Sequence, residues 1–173
     1  WSGYYPVAHG GGGNLNKNLV ENFIREVLLL PNMKIFHNAA YDVGWLMAQG
    51  FKINGLIIDT MIAAPLIDEN RFSFSLNSLA FDYLKEVKSE KELKEAAESF
   101  GVHPKKELWK LPSLYVGKYG EQDAALTLKL WKCFRLKMIE EEVESIFHME
   151  TELLPILIDI TNRGIRFDRE KCS

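Results

Sequence analysis

Between residues 33 and 58 the chain alternates short apolar runs with helical periodicity, and this alternation restricts the fold more than any other feature. Met33-Lys34-Ile35-Phe36-His37 reads as a strand, residues 38–49 as a helix stopped by Gly50, and Leu56-Ile57-Ile58 as a second strand. Strands that alternate with helices pack as layers of an α/β fold. Upstream, residues 4–9 read as another strand and Gly10 to Gly13 with Asn14 as a turn. That glycine run is no phosphate cradle, because neither a Lys-Ser/Thr nor a G-x-G-x-x-G helix start follows it.

Apolar residues at Leu19, Val20, Phe23, Ile24, Val27 and Leu28 mark one face of a helix over 18–30. Downstream, Asp59-Thr60 can cap a helix over 61–66. A short helix is expected over 75–84 and a solvated, charge-alternating helix over 85–100. From about Leu114 one helical stretch runs to Ile146 and another through Met149 to Arg163, ending at Gly164. Trp131, Phe134, Met138 and Phe147 lie at near-helical spacing and belong to packing. Ile165 to Asp168 starts something extended.

The 173 residues suit one domain able to bury its own core, and the apolar (47%) and charged (26%) fractions are ordinary for a soluble globular protein. No apolar run approaches the roughly 20 residues of a membrane helix, and no signal peptide is visible. A net charge of −3 argues against a protein that coats nucleic acid by charge alone. It leaves room for a nuclease whose carboxylates are neutralised by bound cations. Cys133 and Cys172 sit in no metal or redox motif and read as reduced thiols, which points to a cytoplasmic setting.

Two constellations carry chemistry. In His37-Asn38-Ala39-Ala40-Tyr41-Asp42 a strand runs into a helix, and Asn38 and Asp42 share one helix face at i and i+4. A carboxylate there either holds a hard cation or simply favours a helix N-terminus. In Tyr119-Gly120-Glu121-Gln122-Asp123 the phenol lies one turn before the acid. It either orients a water beside a cation or is a core tyrosine next to a surface acid.

Taken in this order, the pair resembles the second and third motifs of the DEDD exonuclease superfamily, in its tyrosine-bearing branch. Tyr5 to His9, Asp59-Thr60-Met61, Leu76 to Ala80 and Asp123-Ala124-x-x-Thr127 resemble the 3′→5′ proofreading domain of family A DNA polymerases. Glu152 to Leu157 and Asn162-Arg163-Gly164-Ile165-Arg166-Phe167-Asp168 resemble the junction with the polymerase part. The resemblance implies a ribonuclease H-like α/β exonuclease domain over 1–135, then connector helices and the start of a polymerase domain over 136–173. It also implies two-metal hydrolysis with Mg²⁺ or Mn²⁺, acting on a single-stranded DNA 3′ end beside the polymerase domain of the same chain, in a bacterial or phage-infected cell. Asp42 and Asp123 would bind metal, and Tyr119 would position the nucleophile.

The family's first motif, Asp-x-Glu on the first strand, has no counterpart before Asp42. The reading therefore expects the chain to begin just downstream of that strand and to be a poor nuclease in isolation. An RNase D-like exoribonuclease and a non-catalytic scaffold stand as alternatives. Around the site, Asn38 either touches the bound strand or caps the helix, and His37 reads as a packing residue. Phe72 and Phe74 stack on bases or pack in the core. Lys105, Lys106, Lys110 and Lys118 form a backbone track or a solvated basic face.

Overall fold

The computed structural model describes residues 2–168 and 171. Helix α1 (Lys17–Leu29) leads to β1 (Lys34–Phe36), α2 (Ala39–Ala48), β2 (Ile57–Asp59) and α3 (Thr60–Ile67). Then come α4 (Leu76–Leu79), a π-helical turn (Ala80–Leu84), α5 (Lys91–Ser99), a 3₁₀ turn (Leu108–Lys110), α6 (Ser113–Glu140) and α7 (Glu144–Arg163). The described residues are mostly helical, around a two-stranded parallel sheet.

Parallel strands cannot be joined by a tight turn, and α2 is the crossover that the pairing needs. It brings Lys34, Ile35 and Phe36 opposite Ile57, Ile58 and Asp59. The strand ends are therefore level, and the segments that leave both, His37-Asn38 and Thr60, emerge side by side. Long helices α6 and α7 cover the sheet. Leu130, Trp131, Phe134 and Met138 of α6 and Phe147 of α7 bury against Ile58, Ala63, Ala64 and Leu79. Leu154 and Ile158 of α7 pack on Ala39, Val43 and Ile57. The aromatic spacing in this region is core packing, as read from the sequence.

Three expectations need correction. First, residues 4–9 form no strand. Their polar groups turn instead to their own loop and to residues 109–113. The Gly10 amide donates to the Trp109 carbonyl at 2.7 Å, and Leu15 donates to Pro6 at 2.7 Å. His9 Nδ1 donates to the Leu111 carbonyl at 2.8 Å, while Nε2 pairs with the Tyr4 hydroxyl at 2.6 Å. The glycines permit this docking: a Cβ on Gly11 would lie 2.3 Å from Pro112 N, and Gly13 (φ 78°) abuts Ser113 equally closely. Two strands, not three, are present among the described residues.

Second, the helix read as continuous to Ile146 breaks after Glu140. Glu142 takes a left-handed φ of 55°. Its amide bonds Ile139 O at 3.2 Å, and Val143 N bonds Met138 O at 3.0 Å. This is a Schellman ending with glutamate in place of the usual glycine, so the sequence carries no stop signal. Third, the charge-alternating helix starts only at Lys91; residues 85–90 are irregular, after Lys85 ends the π turn at φ 58°. Residues 165–168 are without regular structure, and Cys172 lies outside the described residues.

Candidate active site

Asp59 organises the ground on which the site stands. It is 4% exposed at the end of β2, and its carboxylate accepts three backbone N–H groups. Oδ1 accepts from Asn38 at 2.9 Å and Met61 at 2.8 Å, and Oδ2 accepts from Ala39 at 2.7 Å. One carboxylate thus caps α3 from within and α2 from the neighbouring strand, satisfying amides that a helix start leaves unpaired. Asn38, at the N-cap of α2, makes no side-chain capping bond. It adopts φ 67°, a left-handed conformation that Asn tolerates better than most residues. Its exposed side chain is left free of the capping role.

Asp42 follows in the first turn of α2. Partial burial raises its pKa above the ordinary carboxylate value, and the negative charge of Asp59 pushes it further up. His37, at the end of β1, bonds Thr60 Oγ1 through Nδ1 at 2.9 Å. Burial lowers its pKa, against upward pulls from Asp59, a backbone hydrogen bond with Phe74, and Asp123. It is the packing residue the sequence suggested, yet it lies within electrostatic reach of both acids at the sheet end.

Tyr119 and Asp123 come from α6. Tyr119 is half-buried and packs on the cluster of Leu93, Ala97, Leu111 and Val116. Between them Gly120 lets the Tyr4 ring close on the helix: a Cβ there would meet Tyr4 at 3.0 Å. Lys88, from the irregular segment before α5, forms an ion pair with Asp123 Oδ1. Its Nζ also stands 3.0 Å from the centroid of the Tyr119 ring. The lysine is only 8% exposed. Hidden in a stretch that reads as a solvated helix, it had no sequence signal beyond being one lysine among many.

His37, Asp42, Lys88, Tyr119 and Asp123 border one cleft of about 1140 Å³, along with Tyr41, Trp45, Asn77, Glu90 and Lys105, whereas Asn38 and Asp59 are not among its lining residues. The cleft brings Asp42 of α2 together with Tyr119 and Asp123 of α6. It does not bring in every residue singled out from the sequence. Phe72 stands fully in solvent, and Phe74 packs against the main core. Lys118 pairs with Glu92 at 3.0 Å and lines a separate cavity beside Tyr4. Lys110 pairs with Glu107, and Lys106 is exposed. Only Lys105 of the four lysines borders the cleft. Tyr41 and Trp45 were overlooked; their i, i+4 spacing on an otherwise apolar helix was the available signal, and both are exposed on the cleft wall.

The donors that could hold a metal are carboxylate oxygens, which suit hard ions such as Mg²⁺ or Mn²⁺. No group of three His, Cys, Asp or Glu side chains capable of holding a metal occurs among the described residues. The residues fit such an ion as part of a set completed by water and substrate phosphate, the way Mg²⁺ is commonly held.

Residues 14–139 match the 3′-5′ exonuclease family of family A DNA polymerases. The chain is 33% identical over 172 residues to a DNA-directed DNA polymerase of Pseudomonas phage M6, covering 98% of this chain and 26% of the relative. It is 30% identical over 143 residues to DNA polymerase DpoZ of Acinetobacter phage SH-Ab 15497, covering 79% and 23%. It is 31% identical over 177 residues to DNA polymerase I of Borreliella burgdorferi, covering 98% and 18%. The chain therefore spans about a quarter or less of the length of these relatives.

Proposed function

Since the chain belongs to the 3′-5′ exonuclease family of family A DNA polymerases, we propose that it removes mismatched 3′-terminal deoxynucleotides and releases nucleoside monophosphates. The observation that carries the proposal is the convergence of Asp42, Tyr119 and Asp123 on one cleft from two separate helices. In this reading the domain is ribonuclease H-like, residues 1–135 form its nuclease part, and residues 136–173 connect it to a polymerase domain.

Asp42 and Asp123 would hold Mg²⁺ or Mn²⁺, which when bound would supply an activated hydroxide and stabilise the leaving 3′-oxygen. The two acids come from different helices, Asp42 from α2 and Asp123 from α6. The Tyr119 hydroxyl, one helical turn from Asp123, orients the attacking water by hydrogen bonding. Tyr41 and Trp45 offer ring faces to unpaired bases without regard to sequence, a role better suited to them than to Phe72 or Phe74. Lys105, on the cleft wall, meets the phosphate backbone, and the exposed Asn38 side chain, outside the cleft lining, is a further candidate for a sugar or phosphate contact. A paired terminus must be melted to enter, so frayed ends react first.

The test is hydrolysis of a 5′-labelled oligonucleotide by the natural polypeptide that carries these residues. The expected result is a ladder of 3′-shortened DNA that needs Mg²⁺ or Mn²⁺, is faster on mismatched ends, and vanishes with Asp42→Ala or Asp123→Ala. Equal rates on matched and mismatched ends would remove proofreading. A preference for RNA would favour the RNase D-like reading. DNA synthesis without any hydrolysis would make the domain a scaffold.

A further inference from the structure

Lys88 is the charged side chain that the proposed mechanism does not use, although it is nearly buried in the middle of the site. Taking an ammonium out of water is costly unless a partner of opposite charge repays it. Asp123 and the Tyr119 ring face are that partner set, and a desolvated ring face attracts a cation. Glu90 is within electrostatic reach as well, and its pKa is lowered, mainly by hydrogen bonding to Lys94 and Asn77 and slightly by Lys88.

The segment that carries Lys88 is fastened on both sides. Behind it, Glu86 donates its amide to Ala80 O at 3.2 Å, and its carboxylate accepts Lys129 of α6 at 2.6 and 2.8 Å. Ahead of it, Glu90 accepts Asn77 Nδ2 at 3.1 Å and pairs with Lys94 at 2.9 Å. Between these clips Val87 points to solvent at 73% exposure, while Lys88 points inward at 8%. The strap aims one positive charge at one acid.

We propose that Lys88 is a positioning residue of this site: a tethered counter-cation that keeps Tyr119 and Asp123 assembled and competes with a divalent cation for Asp123. The proposal rests on the nuclease reading above. It follows from the occupied ground: the ammonium already holds Asp123 Oδ1, and like charges a few ångströms apart repel, so it opposes a second cation at the same carboxylate. A cation that binds Asp123 weakens its hold on Lys88, which then becomes free to meet the substrate phosphate that arrives with it. The ion pair thereby favours cation binding together with substrate over cation binding alone.

Mn²⁺ titration of the natural polypeptide, followed by electron paramagnetic resonance of the free ion, tests this without DNA. Lys88→Met should bind Mn²⁺ on the order of tenfold more tightly than the wild type. Lys88→Arg, which keeps the charge, should stay close to wild type, and Asp123→Asn should remove the difference. Melting in EDTA supplies a second readout. Lys88→Met and Asp123→Asn should each lower the melting temperature, and the double variant should fall no further than the lower single one. Saturable, Asp123-dependent Mn²⁺ binding that ignores Lys88→Met, or weakens with it, overturns this inference and leaves the nuclease reading intact. No saturable Mn²⁺ binding by wild type or Lys88→Met overturns both.

Discussion

Tyr119 and Asp123 sit one helical turn apart, but one offers a hydroxyl donor and the other carboxylate oxygens, so they differ in role. Tyr119→Phe removes a hydrogen-bond donor and leaves both carboxylates. Hydrolysis should slow by about 10- to 100-fold, while Mn²⁺ affinity stays within about twofold. A loss of Mn²⁺ affinity in single-turnover and binding measurements would make Tyr119 a ligand or a strut. Asp42 gives a prediction with a pH sign. Its pKa is raised in the folded chain, by burial first and Asp59 second. The folded state therefore holds the proton more tightly than the unfolded state. The stability this group contributes is present in acid and is lost as pH rises through the raised value. Asp42→Asn should accordingly raise the melting temperature at pH 7 in EDTA, by about 1–2 °C for this partly exposed group. The gain should shrink toward pH 4, and the same substitution should abolish hydrolysis. A melting temperature lowered at pH 7 would contradict the charge argument.

At the scale of the element, the two helix starts above the sheet depend on one acid. Asp59→Ala would strip three amides of their acceptor. Buried unpaired groups cost about 1–3 kcal/mol each, and a lost cap about 1 kcal/mol. The variant should lose about 2–4 kcal/mol in urea unfolding, with α2, and hence Asp42, displaced. A loss under about 0.5 kcal/mol would show that the amides find other partners. Sequence alone marked Asp59 as a cap for α3, because Thr60 and an apolar helix follow it. It could not mark the cap for α2, since that acceptor arrives across the sheet through strand register. The helix break at Glu142 and the strap at 85–90 escaped for a related reason. Both turns place a charged residue in a left-handed conformation that sequence patterns reserve for glycine. The strand expected at residues 4–9 failed because strand composition says nothing about whether a partner lies alongside.

At the scale of the molecule, the cleft selects among the lysines. Lys110 and Lys118 are engaged by Glu107 and Glu92, and only Lys105 of the four borders the cleft. Lys105→Ala should weaken single-stranded DNA binding and reduce the salt slope by about 0.7, one phosphate's share. Lys118→Ala should leave both unchanged. Equal effects from the two variants in fluorescence-anisotropy titrations would restore the basic track expected from the sequence. The i, i+4 placement of Tyr119 with Asp123 was legible because such spacing is a local property. The shared cleft with its exposed Tyr41 and Trp45, and the buried lysine, were not, because they depend on how α2, α6 and the 85–90 strap meet.

The central claim is that Asp42 and Asp123, from different helices, serve one cation site beside Tyr119. Anomalous diffraction from crystals grown with Mn²⁺ and a short single-stranded oligonucleotide tests it most directly. The account predicts manganese in the cleft, coordinated by Asp123 with Asp42 on the facing side directly or through water, and Lys88 moved off Asp123. Manganese confined to other surfaces, with the Lys88–Asp123 pair unbroken and the oligonucleotide bound elsewhere, would contradict it.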